Sequence, residues 1–311
     1  MLQNFIISVS AVLPLFLMMM LGFLIRKKSW LTEDETDRVN SVIFKVLFPF
    51  TVFASIYSTD LSHAFHPGLI IYCVAAVLIT YSISLLIIPK IEPSNKSRGA
   101  MIQAIYRSNF VLLGLPLVAN IYPKADLGMT AIAIAVLIPV YNVLAVVTLE
   151  VYRGEKPSPK RILWGIATNP LILGCVAGLI ALPFTLPPVL DNTISQLALT
   201  APPMALILLG ASFRLEHSPR LKRNLYICTL ARLVLVPGAA LTVAALLGFR
   251  DMAFVTLIGV FAAPCAVSSF TMAQQMDSDG ELAGATVVYT SFFSCLTMFC
   301  WTFLFKQLGI F

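Results

Sequence analysis

Charged residues are scarce in this chain. Only 12% of its 311 residues are Asp, Glu, Lys or Arg, whereas soluble domains carry roughly one quarter. Hydrophobic residues make up 59% of the chain, which is more than a soluble core could absorb. The composition therefore excludes an ordinary soluble domain and predicts an all-α membrane protein.

Acidic residues and histidines are missing from the middle of the apolar stretches. Glu150 lies near the end of its stretch, Asp277, Asp279 and Glu281 lie in a loop, and the three histidines also lie in loops. A proton relay through a membrane normally uses such groups. Proton coupling through a buried carboxylate is therefore disfavoured.

Motifs of enzymes and of ATP-driven pumps are missing as well. The chain contains no GxxxxGK[ST], HExxH or GxSxG pattern and no intramembrane pair of aspartates. Its six cysteines form no CxxC pair and are interpreted as small packing residues. The sequence thus predicts a protein that is not an enzyme, with no catalytic residue, no cofactor and no metal ion.

Long hydrophobic runs dominate what is present. Windows of about 20 residues predict ten spans, at roughly 5–25, 39–58, 67–89, 99–120, 127–152, 162–182, 192–213, 224–247, 252–273 and 281–305. The connecting segments are short. We therefore expect one membrane domain over residues 1–311, without a soluble module.

The distribution of Lys and Arg predicts the orientation. Of the 21 such residues, about 15 flank the loops after spans 1, 3, 5 and 7, about three lie in the opposite loops or the tail, and three lie within spans. The richer loops are expected inside, which places both termini of this multi-pass cell-membrane protein outside. The net charge of +6 is thereby explained without a nucleic-acid partner.

Short sequence patterns that recur in both halves of the chain predict a repeat of five plus five spans. Gly22 follows Pro14 by eight residues, and Gly178 follows Pro170 by eight. The second span of each half begins with Asn and carries a proline about nine or ten residues later. The halves lie at about 1–155 and about 160–311, and an odd number of spans per half makes them inverted relative to each other.

A proline near the middle of the fourth and ninth spans indicates two broken helices. Pro116 and Pro264 each free the carbonyl four residues back, at Leu112 and Val260. Proline favours the first position of a helix, so we expect both prolines to open half-helices. Their N-termini would converge at the midplane as an anion site. A pair of ordinary packing kinks is the alternative.

Five short motifs are distributed over the chain: Asn109-x4-Gly114-x-Pro116-Leu117, Tyr141-Asn142, Asn169-Pro170, Arg232-x4-Pro237 and Ala263-Pro264. In these motifs the chain resembles the auxin efflux carrier family, whose bacterial members include malate and malonate carriers. The resemblance implies a ten-helix inverted repeat in which broken helices 4 and 9 cross. It also implies a scaffold of spans 1, 2, 6 and 7 holding an elevator-type transport body, and contact between Asn109 and the substrate carboxylate.

These observations predict a set of substrate-binding residues: Asn109, Gly114, Pro116, Tyr141, Asn142, Pro264, Ser268 and Ser269. Several alternatives stay open. Asn142 could instead cap a backbone carbonyl, and the two serines could satisfy backbone groups freed by the break. Arg107 and Arg232 are interpreted as snorkelling to the surface, with a role in attracting anions left open.

Three classes of function are compatible with the sequence. A secondary carrier of a small organic carboxylate is favoured by the crossed broken helices and by the lack of acidic residues. A sodium-coupled organic-solute symporter of a related inverted-repeat fold is the alternative, and a sensor is disfavoured by the lack of a soluble output module. The expected partners are a small organic anion and the lipid bilayer, and a homodimer is left open.

Overall fold

The protein is built from α-helices. The computed structural model describes residues 2–58, 66–110, 117–119, 121–122, 128–153, 159–213 and 219–311. Within those ranges the only extended pairing is an isolated antiparallel bridge between Ser108 and Cys265. Gly114, Pro116 and the carbonyl of Leu112 lie outside the described residues.

Fourteen helices are followed here in chain order. They are α1 Leu2–Lys27, α2 Glu33–Val42, α3 Phe48–Tyr57, α4 Pro67–Ile91, α5 Asn95–Tyr106, α6 Gly128–Tyr152, α7 Pro159–Ala167, α8 Pro170–Ala181, α9 Pro188–Ser212, α10 Pro219–Leu230, α11 Val236–Leu246, α12 Asp251–Ala262, α13 Ser268–Gln275 and α14 Gly280–Gln307. Two π-helical segments, Ile43–Leu47 and Ala231–Leu235, join α2 to α3 and α10 to α11.

Six helical stretches among the described residues are long and apolar enough to cross a membrane. They are Glu33–Tyr57, Pro67–Ile91, Gly128–Tyr152, Pro188–Ser212, Pro219–Leu246 and Gly280–Gln307, and Pro170–Ala181 and Asp251–Ala262 are shorter apolar helices. Three predicted spans are interrupted within the described residues. The fourth breaks after Tyr106, the sixth at residues 168–169 and the ninth at residues 263–267.

Neighbouring helices supply hydrogen bonds to the carbonyls that prolines leave free. The Thr51 hydroxyl donates to the Ala198 carbonyl, four residues before Pro202, at 2.9 Å. The Trp301 indole N–H donates to the Leu233 carbonyl, four residues before Pro237, at 3.0 Å. In the absence of water such carbonyls need a protein donor. The prolines are thus tolerated because tertiary contacts complete their hydrogen bonding.

Glycines bring two pairs of helices into backbone contact. Gly22 of α1 lies against the backbone of Ile207 in α9, and Gly210 of α9 lies against the backbone of Met19. Gly174 and Gly178 of α8 face α3 in the same way, since a Cβ at Gly174 would come within 2.6 Å of the Pro49 carbonyl oxygen. Small residues at membrane helix interfaces allow this close approach.

Gly22→Ala is expected to destabilise the protein by about 1–3 kcal/mol, because the added methyl group would overlap the backbone of α9. A thermal melt in detergent measures the loss. Gly68→Ala is the matched control, since a Cβ there would meet only the His66 ring at 3.8 Å or more. Equal melting temperatures for both variants would contradict the close α1–α9 contact.

A buried carboxylate ties the segment between α4 and α5 to α10. Glu92 is 1% exposed, and it receives hydrogen bonds from Arg220, from the Ser94 N–H at 2.8 Å and from the Asn224 amide at 2.6 Å. Burial raises the pKa of Glu92, but these bonds outweigh it, so the pKa lies below its ordinary value. Glu92 therefore joins these elements as an ionised group.

Gln274 joins α13 to α2 through both ends of its side-chain amide. Its amide oxygen accepts from the Asn40 amide at 2.6 Å, and its amide nitrogen donates to the Asp37 carboxylate. One side chain thus bridges two elements that are more than 200 residues apart in sequence.

Candidate functional site

Two interrupted helices meet at the centre of the structure. Helix α5 ends at Tyr106 and helix α12 ends at Ala262. The segments that follow are extended and pair through the Ser108–Cys265 bridge, and the Asn109 N–H donates to the Pro264 carbonyl at 2.8 Å. We call residues 107–110 and 263–267 the crossing.

Pro264 ends one helix and does not open the next, which corrects the expectation from the sequence. The residue before a proline is driven out of the helical region, and Ala263 is extended at φ −64° and ψ 152°. Helix α13 begins only at Ser268. Between the two helices, the Pro264 carbonyl and Cys265 pair with the other extended segment.

Arg232 is fully buried at the crossing, so the snorkelling interpretation is wrong for it. Its Nε donates to the Ala263 carbonyl at 2.8 Å, and its Nη2 donates to the Val260 carbonyl at 3.1 Å. Its Nη1 reaches the Ile105 and Tyr106 carbonyls at 3.2 and 3.4 Å. The carbonyl freed by Pro264 is thus satisfied by an arginine rather than by a nearby hydroxyl.

Arg107 is also buried, at 4% exposure, which corrects the same interpretation. Its guanidinium donates to the Asn142 amide oxygen at 2.7 Å, to the Gln103 amide oxygen at 3.1 Å and to the Met272 sulfur at 2.6 Å. All three acceptors are neutral. The Asn142 amide oxygen therefore accepts from a cation, and its amide nitrogen donates to the Cys175 sulfur at 3.9 Å rather than to a backbone carbonyl.

The crossing borders a cavity of about 130 Å³. Its walls come from α3, α6, α8 and α9, together with residues 107–110 and 266–268. No Asp or Glu is among the described residues that line it, whereas two larger cavities near the helix ends contain the carboxylates of Asp37 and Glu150. The central cavity is therefore suited to a small ligand that is not a cation.

Several buried polar groups at this cavity have no hydrogen-bond partner among the described residues. They are the Asn109 amide nitrogen, the Ser108 hydroxyl and the Tyr141 hydroxyl. Asn109 is 8% exposed and Tyr141 is 3% exposed. A buried donor without a partner costs about 1–3 kcal/mol, and all three groups belong to residues that line this one cavity, so we infer a polar occupant.

The structure brings four of the predicted site residues together. Asn109, Tyr141, Asn142 and Ser268 all line the central cavity. Pro264 contributes its carbonyl to the Asn109 N–H and is not among the lining residues. Ser269 is buried at 1% exposure within the first turn of α13 and does not line the cavity either.

Sequence reasoning missed Arg107 as a residue of this cavity and missed the contribution of Thr51 and Ser55 from α3. One feature could have identified Arg107: an ionisable residue inside a predicted span faces protein or a cavity by default. Thr51 and Ser55 carry no comparable sequence feature, since hydroxyls are common in membrane helices and often bond to their own backbone.

Comparison with known proteins assigns the family. A model of the family described as "Membrane transport protein" matches residues 7–160 and 160–302. The chain is 22% identical over 297 residues to an uncharacterized transporter of Methanothermobacter thermautotrophicus, covering 95% of this chain and 97% of the relative. It is 32% identical over 152 residues to a putative malonate transporter of Rhizobium meliloti, covering 47% of this chain and 48% of the relative.

The family match extends over nearly the whole chain, and the helices are long and apolar enough for a multi-pass membrane protein. The resemblance seen in the sequence motifs is confirmed. The chain belongs to the membrane transport protein family that includes the auxin efflux carriers.

Proposed function

We propose that this protein is a secondary carrier that moves a small organic carboxylate anion across the cell membrane and binds it in the central cavity. The observation that carries the proposal is that Asn109, Ser108 and Tyr141 have polar groups without a partner among the described residues and line a cavity whose described lining contains no acidic residue. A carboxylate accepts several hydrogen bonds. It would satisfy donors that otherwise remain unpaired.

The size of the cavity supports a small substrate. Its volume of about 130 Å³ lies well below the roughly 300–1,000 Å³ of sites for drug-sized ligands. The putative malonate transporter that matches half of this chain is named for a compact anion of this kind. A short-chain carboxylate is therefore the substrate class that we propose.

The proposed architecture is an inverted repeat of five plus five spans with both termini outside. Helices α5 and α12, which end at the crossing, each contain 12 residues. Gly22 packs against α9 and Gly178 packs against α3, so the first span of each half contacts the second span of the other half. This reciprocal packing supports the repeat.

The cavity lies where an elevator mechanism would require it. Helices α3, α8 and α9 belong to spans 2, 6 and 7, which form the proposed scaffold, and the crossing belongs to the proposed moving body. The cavity is lined by both groups. Movement of the crossing against α3, α8 and α9 would carry a bound anion from one side of the membrane to the other.

Asn109→Ala is expected to weaken anion binding by about 10- to 100-fold, because one hydrogen bond to a charged group contributes about 1.5–3 kcal/mol. Thermal shift of purified protein against mono- and dicarboxylates identifies a ligand, since binding to the folded state raises its stability. Calorimetry then compares the variant with Asn192→Ala, an exposed asparagine outside the cavity.

Two results would count against the proposal. No thermal shift with any carboxylate would overturn the assignment of an anion substrate. Unchanged affinity in Asn109→Ala would remove the cavity as its binding place. Uptake into proteoliposomes with and without a sodium gradient separates the proposed carrier from a sodium-coupled symporter, because only the symporter loses uptake when sodium is equal on both sides.

A further inference from the structure

Two arginines are buried at the crossing, and their surroundings differ in charge. Arg232 donates to backbone carbonyls at the C-terminal ends of α5 and α12. A helix C-terminus carries roughly half a negative charge, so two of them together offset about one positive charge. The charge of Arg232 is therefore balanced within the fold.

The positive charge of Arg107 is not offset by any negatively charged group that it contacts among the described residues. Its guanidinium contacts the amide oxygens of Gln103 and Asn142 and the sulfur of Met272, and it contacts neither a carboxylate nor a backbone carbonyl. A buried charge without compensation is expensive. Inside a membrane protein such a residue normally serves a ligand or an ion pathway.

The position of Arg107 connects this unbalanced charge to the cavity. Arg107 lines the cavity beside Ser108 and Asn109, whose side chains have unpartnered polar atoms. Asn142 also lines the cavity and holds the guanidinium in place through its amide oxygen at 2.7 Å. A guanidinium fixed in this way can present its remaining donors to a planar carboxylate.

We propose that Arg107 is the charge partner of the transported anion and that it recognises a single carboxylate group. This assignment rests on the proposed carrier function. The other donors of the cavity, from Asn109, Ser108 and Tyr141, are neutral. They can bind a second polar end of the substrate whether that end is a carboxylate or a carboxamide, because both offer acceptor oxygens.

Three compounds with one carbon skeleton test this assignment by calorimetry. At neutral pH, malonate carries two negative charges, malonamate carries one and malonamide carries none. Wild-type protein is expected to bind malonate and malonamate within about tenfold of each other. It should bind malonamide about 10- to 100-fold more weakly than malonamate, because the charge-assisted hydrogen bonds to Arg107 are lost.

Arg107→Gln is expected to lower the affinities for malonate and malonamate by about 10- to 100-fold and to leave that for malonamide nearly unchanged. Arg107→Lys keeps the charge without the planar fork and should retain an intermediate affinity. Arg98→Gln is the matched control: it removes one positive charge from α5, the helix that ends just before Arg107, and Arg98 does not line the cavity. It should bind like wild type.

The melting temperature measured without ligand distinguishes an effect of the substitution on folding from an effect on binding. Because Arg107→Gln removes an unbalanced buried charge, the variant should melt at or above the wild-type temperature. Equal malonate affinity in wild type and Arg107→Gln would overturn the assignment of Arg107 while leaving the carrier function intact. Malonamate binding as weak as that of malonamide would overturn the single-carboxylate assignment. Failure of wild type to bind any carboxylate would overturn the carrier proposal and this assignment together.

Discussion

Arg232→Gln is expected to destabilise the protein by about 3 kcal/mol or more. The substitution removes the donors that satisfy the carbonyls of Val260, Ala263 and Ile105, and each buried acceptor left without a partner costs about 1–3 kcal/mol. Glutamine is shorter and has one donor group, so it cannot reach both helix ends. Thermal or denaturant unfolding in detergent measures the loss.

The matched control for Arg232 is an arginine that binds carbonyls at an exposed position. Arg250 donates to the Ala245 and Phe249 carbonyls at 2.9 and 2.8 Å, but water can replace it there. Arg250→Gln should therefore change stability by less than about 1 kcal/mol. If Arg232→Gln were equally mild, Arg232 would not hold the two interrupted helices together.

Asn109→Asp is expected to abolish anion binding, with a loss of at least about 100-fold. The new carboxylate would lie in the same cavity as Arg107 and would take the place proposed for the substrate. It would also repel an incoming anion, since two like charges about 4 Å apart interact by roughly 4 kcal/mol at an effective dielectric constant of 20. Calorimetry with malonate and uptake into proteoliposomes measure the effect.

The melting temperature distinguishes this blocked site from a damaged fold. A carboxylate that pairs with Arg107 balances a buried charge, so ligand-free Asn109→Asp at neutral pH should melt no lower than wild type. Asn192→Asp, at an exposed position, is the control and should bind malonate normally. Retained malonate affinity in Asn109→Asp would place the substrate elsewhere.

The membrane class, the helical fold and the family could be predicted from the sequence. These features depend on local composition: apolar runs of about 20 residues can be satisfied in a bilayer only as helices or closed barrels. The interruption of the ninth span was also predictable, because Pro264 disfavours helix at Ala263. Asn109, Tyr141 and Asn142 were identified from motifs and all line the cavity.

The start of α13 was not predictable from the proline alone. A proline is acceptable at the first turn of a helix and also in an extended segment. Pairing with Ser108 and Asn109 selects the extended form of the segment at Pro264 and Cys265. That partner lies more than 150 residues away in the sequence, so no local pattern contains the information.

Composition by itself determined that this chain enters a membrane as a bundle of helices, because hydropathy is a property of the residues and needs no partners. Only the tertiary structure decided the roles of the buried arginines. A long cationic side chain within a span can reach the surface or turn inward, and the outcome depends on which groups other helices provide. Arg232 donates to carbonyls at two helix C-termini, which offset its positive charge. Arg107 donates to neutral acceptors beside a cavity, so its positive charge is not offset.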